Sequence, residues 1–347
     1  MPLPPLLPLD ALDSTPRCLF DIKAQLGEGP IWVPETQRLY FTDIKGCRLY
    51  RYHPATGACR EWVAPGPVGF LLPVEGGTFL AGMRDGLHSF DPATGGFSHL
   101  CVITPGQEGN RLNDGCVDRQ GRIWFGTMDD WERHPSGAIY RVAEVDGKIA
   151  ITCCDTGYVV SNGPTVSPDG RFLYVCDSPA RKIYVFDKTP DGTLHNKRLF
   201  AQLDHGYPDG IVTDCEGNLW CGLWGGGRIA RFRPDGQALP SIPMPVTNVT
   251  KIAFGGDDLK TAFVTTARRG LSEAQLAKEP QAGGVFAFRS DVAGVPQGQF
   301  RFNPRHEDET LVSRVIVPPH PEDAVNVAGE SLARPGAAQE APPGTWR

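Results

Sequence analysis

The chain has 347 residues with 34 Lys+Arg against 40 Asp+Glu, a formal net charge of -6; it lacks the basic footprint that a phosphate backbone calls for, so nucleic acid is not an expected partner. Hydrophobic residues make up 40% and charged residues 21%, ordinary globular usage, and no run approaches the roughly 18 apolar residues of a membrane span. Glycine (41) and proline (32) together exceed a fifth of the chain, which means many turns rather than long helices.

The opening Met1-Pro2-Leu3-Pro4-Pro5-Leu6-Leu7 is apolar but broken by prolines, with no basic segment before it and no small-residue cleavage site after it. Residues 1–16 therefore read as an N-terminal extension of an unexported, cytoplasmic chain. The ten cysteines are scattered, and Cys116, Cys176 and Cys221 fall inside strand-like runs, which fits reduced thiols better than a disulfide framework.

From residue 17 onward the chain repeats. Short aromatic or β-branched runs centre on Tyr40, Phe79, Trp124, Tyr174, Trp220 and Ala262, at spacings of 39, 45, 50, 46 and 42 residues. Each is preceded by another short strand and a tight turn, as in Asp118-Arg119-Gln120-Gly121, and followed by a strand of alternating character such as Arg48-Leu49-Tyr50-Arg51-Tyr52. Units of this length holding four antiparallel strands are β-propeller blades, and one blade alone cannot bury both faces. The expectation is an all-β, six-bladed β-propeller over 17–290. The last unit is one strand short, and Arg17-Cys18-Leu19-Phe20-Asp21-Ile22 is expected to close it. Two long loops, around 128–135 and 268–283, are candidate lids, the second with a helical pattern over Leu271-Ser272-Glu273-Ala274-Gln275-Leu276-Ala277. The Pro/Ala-rich stretch over 291–347 is expected to be a poorly ordered tail.

The functional signal lies in the phase of the repeat. Glu28, Asn113, Asn162 and Asp209 precede the aromatic centres of their blades by eleven or twelve residues, whereas Val68-Gly69 and Thr250-Lys251 hold that place in blades two and six. All precede or open the innermost strand, so the four polar side chains should meet at one mouth of the channel. Two carboxylates facing one another there would be costly without a cation. The donor set, carboxylates from Glu28 and Asp209 with the amide carbonyl of Asn162, suits one divalent metal ion, whether Ca, Mg, Mn, Zn or Fe. Arg111 shares a face with Asn113, where it either binds substrate oxygens or forms a structural salt bridge. Asp43, Asp129 and Asp177 read as turn caps.

The motifs Leu26-Gly27-Glu28-Gly29-Pro30, Arg111-Leu112-Asn113-Asp114-Gly115, Ser161-Asn162-Gly163-Pro164 and Pro208-Asp209-Gly210 resemble those of the regucalcin/gluconolactonase (senescence-marker-protein-like) family of sugar lactonases. The resemblance implies a six-bladed propeller that hydrolyses a sugar aldonolactone to the aldonic acid at a single divalent metal. It implies Glu28, Asn162 and Asp209 as metal ligands, Asp209 doubling as base, and Arg111 and Asn113 on the substrate. Family members often carry an acidic substrate contact shortly after the Gly-Thr-Met that is here Gly126-Thr127-Met128. The ungapped position is Trp131, flanked by Asp130 and Glu132, which become the candidate substrate contacts. The expected partner is a small sugar lactone, with no membrane and a monomer or weak homo-oligomer. Two rival readings use the same mouth: a phosphotriesterase-type hydrolase, and a non-enzymatic calcium-binding, regulatory propeller.

Overall fold

The computed structural model describes residues 9–104, 106–145, 148–301 and the backbone of 312–316. After a short 3-10 turn (Leu9–Ala11) come β1 (Arg17–Phe20) and six consecutive antiparallel sheets. Blade one is β2 (Gly27–Val33), β3 (Arg38–Asp43), β4 (Arg48–His53) and β5 (Ala58–Val63). Blade two is β6 (Val68–Pro73), β7 (Phe79–Met83), β8 (Gly86–Asp91) and β9 (Gly96–Cys101). Blade three is β10 (Asn110–Val117), β11 (Ile123–Asp129), β12 (Gly137–Val145) and β13 (Lys148–Tyr158). Blade four is β14 (Ser161–Val166), β15 (Phe172–Asp177), β16 (Lys182–Lys188) and β17 (Leu194–Gln202). Blade five is β18 (Tyr207–Thr213), β19 (Leu219–Trp224), β20 (Arg228–Phe232) and β21 (Ala238–Pro243). Blade six is β22 (Val249–Gly255), β23 (Thr261–Thr266) and, after helix α1 (Glu273–Lys278), β24 (Val285–Arg289). The six-bladed propeller expected from the repeat is the fold.

Burial explains the order of strands. The inner strands β2, β6, β10, β14, β18 and β22 are buried almost throughout, while the outermost strands β5, β9, β17 and β21 are mostly exposed. Each inner strand contacts the next around the ring, with β2 returning to β22. Apolar clusters fill the wedges between neighbouring blades, and every repeat centre belongs to one: Tyr40 and Phe79 between blades one and two, Trp124 between three and four, Tyr174 between four and five, Trp220 and Ala262 between five and six. A single sheet has no partner for such faces, so the ring is the unit that buries them. β1 completes blade six as its outermost strand by pairing with β24, Arg17 opposite Ala287 and Phe20 opposite Val285, which closes the ring by joining distant parts of the chain.

The inner hairpins are clipped by a repeated device. Asp118 accepts hydrogen bonds from the backbone N–H of Gln120 and Arg122 and from Trp124 Nε1 at 3.0 Å, and is also bonded by Arg122 Nε at 2.9 Å. Two blades on, Asp214 does the same for Glu216 N, Asn218 N, Asn218 Nδ2 and Trp220 Nε1. Gly121 and Gly217, at φ of 76° and 85°, supply the left-handed turn residue that the clip needs. The tryptophan is thereby both core and hydrogen-bond donor.

Beyond β24 the chain crosses the far mouth of the channel. Cys215 N donates to Ala293 O, Phe300 N to Pro73 O and Glu75 N to Phe300 O, and Phe300 is 1% exposed. Residues 295–298 line a cavity at that end together with the last residues of β10, β14 and β18. β25 (Val312–Ile316) then pairs parallel with β13. The rest of the expected tail, 302–311 and 317–347, lies outside the described residues. All ten cysteines are free thiols, and among the described residues no helix is long and apolar enough to cross a membrane.

The clip is testable. Asp214→Ala orphans the buried Trp220 N–H and the Asn218 amide and is expected to lower stability by about 2 kcal/mol or more. Urea unfolding with an unchanged midpoint and slope would show that the clip contributes nothing.

Candidate active site

All six inner strands break register at the same phase: between Glu28 and Ile31, Val68 and Phe70, Leu112 and Gly115, Asn162 and Thr165, Pro208 and Ile211, and Val249 and Ile252. A bulge bends its strand and re-aims the side chains beside it. Here it brings Glu28, Arg111, Asn113, Asn162 and Asp209 together with Glu132, Met128, Tyr207, Trp224 and Arg269 around one half-open cavity at the near mouth, a concave site in which a few polar groups converge against an apolar wall. The four polar residues picked out by phase therefore meet.

Glu28 is 5% exposed and Asp209 7%, both line the same cavity, and each carboxyl acts on the other's ionisation. Burial, and then the charge of Asp114, push Glu28 up from 4.5 to about 7. Burial, and then Glu28 itself, push Asp209 well above the usual carboxylate range. Lys251 is paired with Asp114 and donates to Gly115 O at 3.2 Å. Burial works against the lysine's charge, but Asp114 outweighs it and raises its pKa. Two buried carboxyls beside a lysine already committed to a third, with an amide oxygen at hand, are a donor set that fits a hard divalent cation.

The amide oxygen is held by a chain of donors. Arg111 Nη1 donates to Asn113 Oδ1 at 2.6 Å, Asn113 Nδ2 donates to Asn162 Oδ1 and to Ser161 O at 2.8 Å each, Asn162 Nδ2 donates to Ser178 Oγ at 3.0 Å, and Ser178 Oγ donates to Pro208 O at 2.6 Å. Asn162 thus keeps one lone pair of Oδ1 for a further partner. Both amide hydrogens of Asn113 are used on Ser161 and Asn162, while its Oδ1, like that of Asn162, accepts one bond and faces the same cavity lining.

The two acidic residues beside Trp131 separate. Asp130 does not line the cavity: its carboxylate bonds Arg111 Nε at 2.8 Å and Lys45 Nζ at 2.9 Å and pairs with Arg84. Despite its burial, these cations hold its carboxyl down at about 2. The ion pair thereby answers the question left open at Arg111: the arginine is salt-bridged and also lines the cavity. Glu132 does line the cavity, and its Oε2 is buried without a hydrogen-bond partner. Burial raises Glu132, with Arg269 and Arg111 opposing. Trp131 points outward, 70% exposed.

Asp43 and Asp129 are turn caps as expected. Asp43 accepts from Gln25 N, Leu26 N and Gly46 N, and Asp129 from Trp131 N, Arg133 N and His134 N. The loop between β23 and β24 carries α1, capped by Ser272 in a capping box with Gln275, and sends Arg269 to the cavity. The Asp114–Lys251 pair was not anticipated as part of the site. Its signal was present, since Lys251 occupies the blade-six position of the same phase.

The SMP-30/gluconolactonase/LRE-like region model matches residues 26–268. The chain is 34% identical to 6-deoxy-6-sulfogluconolactonase of Pseudomonas putida, over 83% of this chain and 99% of that one. It is 35% identical to L-arabinolactonase of Azospirillum brasilense, over 83% and 96%. Among solved structures it is similar to a calcium-binding protein, regucalcin, from Agrobacterium tumefaciens, with a TM-score of 0.79, 28% identity, and coverage of 84% of this chain and 98% of that one. The matched region spans five complete blades and reaches into the sixth, and includes every residue lining the cavity except Arg269; the chain belongs to the SMP-30/gluconolactonase/LRE-like family.

Proposed function

We propose that the chain hydrolyses a sugar lactone to the open-chain aldonic acid, with one divalent cation held by Glu28, Asn162 and Asp209. The observation that carries this reading is the pair of buried carboxyls, Glu28 and Asp209, lining one cavity with the amide of Asn162. The names of the relatives, an L-arabinolactonase and a 6-deoxy-6-sulfogluconolactonase, support the substrate class. When bound, the cation supplies positive charge that lets both carboxyls ionise, polarises the lactone carbonyl and acidifies a water.

The side chains supply the rest. Asp209 takes a proton from the attacking water as the water oxygen bonds to the carbonyl carbon. The ring C–O bond then breaks, and the proton passes from Asp209 to the departing ring oxygen. Arg111, held through Nε by Asp130 and through Nη1 by Asn113, presents Nη2 to substrate oxygens. Glu132 Oε2 accepts from a sugar hydroxyl, which satisfies an otherwise orphaned atom. Ile44, Met128, Val160 and Trp224 give the cavity an apolar wall.

The calcium-binding description of the Agrobacterium neighbour favours a second reading, cation binding without turnover. Chelation followed by add-back of Ca²⁺, Zn²⁺, Mn²⁺ or Mg²⁺ separates the two, read with gluconolactone, xylonolactone, arabinolactone and an organophosphate. Turnover of a lactone, lost on chelation and restored by a cation, is expected. Cation uptake with no turnover would leave the second reading, and turnover of the organophosphate alone would make the chain a phosphotriesterase. Asp209→Asn is expected to retain the fold and lower kcat by about 10²–10⁴, and unchanged kinetics would remove Asp209 as base.

A pH effect follows from Glu28. Its folded pKa of about 7 lies above the ordinary 4.5, so in the metal-stripped chain its stabilising contribution is present below 4.5 and is lost as pH rises through about 7. Asp209 acts in the same direction. A cation that binds the ionised pair should therefore raise Tm by an amount that grows across this window. A cation-induced gain that is flat with pH would contradict the assignment.

A further inference from the structure

Away from the channel, the outer half of blade two carries a second cluster of ligand-type side chains. Among the described residues, Asp85, His88 and His99 form the one group of three His, Cys, Asp or Glu residues whose ligand atoms all lie within 4.8 Å of one another. His88 Nε2 and Asp85 Oδ1 are 2.8 Å apart, and the two imidazole rings sit 5.0 Å apart, nearly perpendicular. His99 Nε2 lies 3.4 Å from Asp85 O, on the same side of the sheet.

The backbone is arranged to make this meeting. At the start of the β8–β9 ladder Leu87 pairs with Cys101, and an unbroken register would set His88 opposite Leu100. A bulge intervenes, and His88 faces His99 instead. Directly opposed residues on neighbouring strands hold their Cβ atoms roughly 4.5–5.5 Å apart, a spacing that lets two imidazoles reach one ion. Asp85 arrives from the tight β7–β8 turn, whose Gly86 lies against the Cys101 carbonyl. Two of the three ligands thus stand on paired strands and the third on a two-residue turn, so little chain entropy is lost on binding. His88 is buried, while Asp85 and His99 are exposed, leaving one open side for entry and for water.

We propose that Asp85, His88 and His99 form a second metal site, for a divalent transition cation of the Zn²⁺ class and distinct from the channel. Two imidazoles and one carboxylate suit Zn²⁺ rather than the hard cations that the oxygen-only channel set fits. In a tetrahedral site, metal–ligand bonds of about 2.0–2.2 Å set ligand atoms roughly 3.4 Å apart, so the 2.8 Å contact between His88 Nε2 and Asp85 Oδ1 opens slightly to admit the ion, and rotation of the exposed His99 ring brings in the third ligand. The ion replaces the proton between His88 Nε2 and Asp85 and ties the β7–β8 turn to the outermost strand of the blade.

The test uses the untagged, metal-stripped full chain carrying Glu28→Gln, which disables the channel pair, titrated with Zn²⁺ alone by calorimetry. A saturable site is expected, weakened by at least about tenfold when His99→Ala is added. Equal binding by the two chains, or no uptake by either, overturns the proposal. In the wild-type chain, Zn²⁺ should shift the ring nitrogens of His88 and His99 in the NMR spectrum and leave those of His205 in place. Unshifted rings at 88 and 99 overturn it independently of how the Glu28 variant folds.

Discussion

Two carboxyl groups cannot both ionise in a dry, narrow channel unless positive charge joins them. Glu28 and Asp209 are in that position, and the nearby Lys251 is already paired with Asp114. Most of what surrounds them bears on this cost. The bulges hold the two acids together, the amide chain from Arg111 to Ser178 leaves Asn162 with a free lone pair beside them, and the arginine is itself held by Asp130. The proposed cation would convert an unfavourable pair into a ligand set, which is why the site and the metal are argued as one thing.

The scaffold is nearly six-fold in its backbone and not at all so in its chemistry. Every inner strand has a bulge at one phase, yet the residues at that phase are Glu28, Val68, Asn113, Asn162, Asp209 and the Thr250–Lys251 pair. Repetition supplies rigidity through the apolar wedges between blades and the Asp118 and Asp214 clips. Departure from repetition supplies a cavity with one acidic side, one basic side and an apolar wall. A ring also needs closure, and β1 on β24 provides it by joining chain segments that are far apart in sequence. The same logic of register operates at the edge of blade two, where a bulge faces His88 with His99.

Much of this was legible in the residues alone. The six aromatic or apolar centres from Tyr40 to Ala262 reported the blades, because each blade must bury a strand against its neighbour. The common phase of Glu28, Asn113, Asn162 and Asp209 reported a shared mouth, because equal phase in a ring means equal height along its axis. The short last unit and the strand-like Arg17–Phe20 segment likewise reported the closure. All three are one-dimensional consequences of a periodic fold.

Other features depended on side-chain reach and on which partner was met first, which no spacing encodes. Asp130 and Glu132 are two residues apart and chemically alike, but Asp130 meets Lys45, Arg84 and Arg111, while Glu132, in a left-handed backbone conformation, lines the cavity. Asn113 lines the cavity, but which of its atoms face a ligand was set by the neighbours it met, since both amide hydrogens go to Ser161 and Asn162. Residues 291–301 carried no periodic signal, yet they lie across the far mouth because blades two, three and five offer backbone partners and an apolar seat for Phe300. The sequence by itself determined the ring, its closure and the height at which the polar residues gather. Only the tertiary structure decided their roles, since charge pairing and hydrogen-bond saturation are settled between segments that come together on folding.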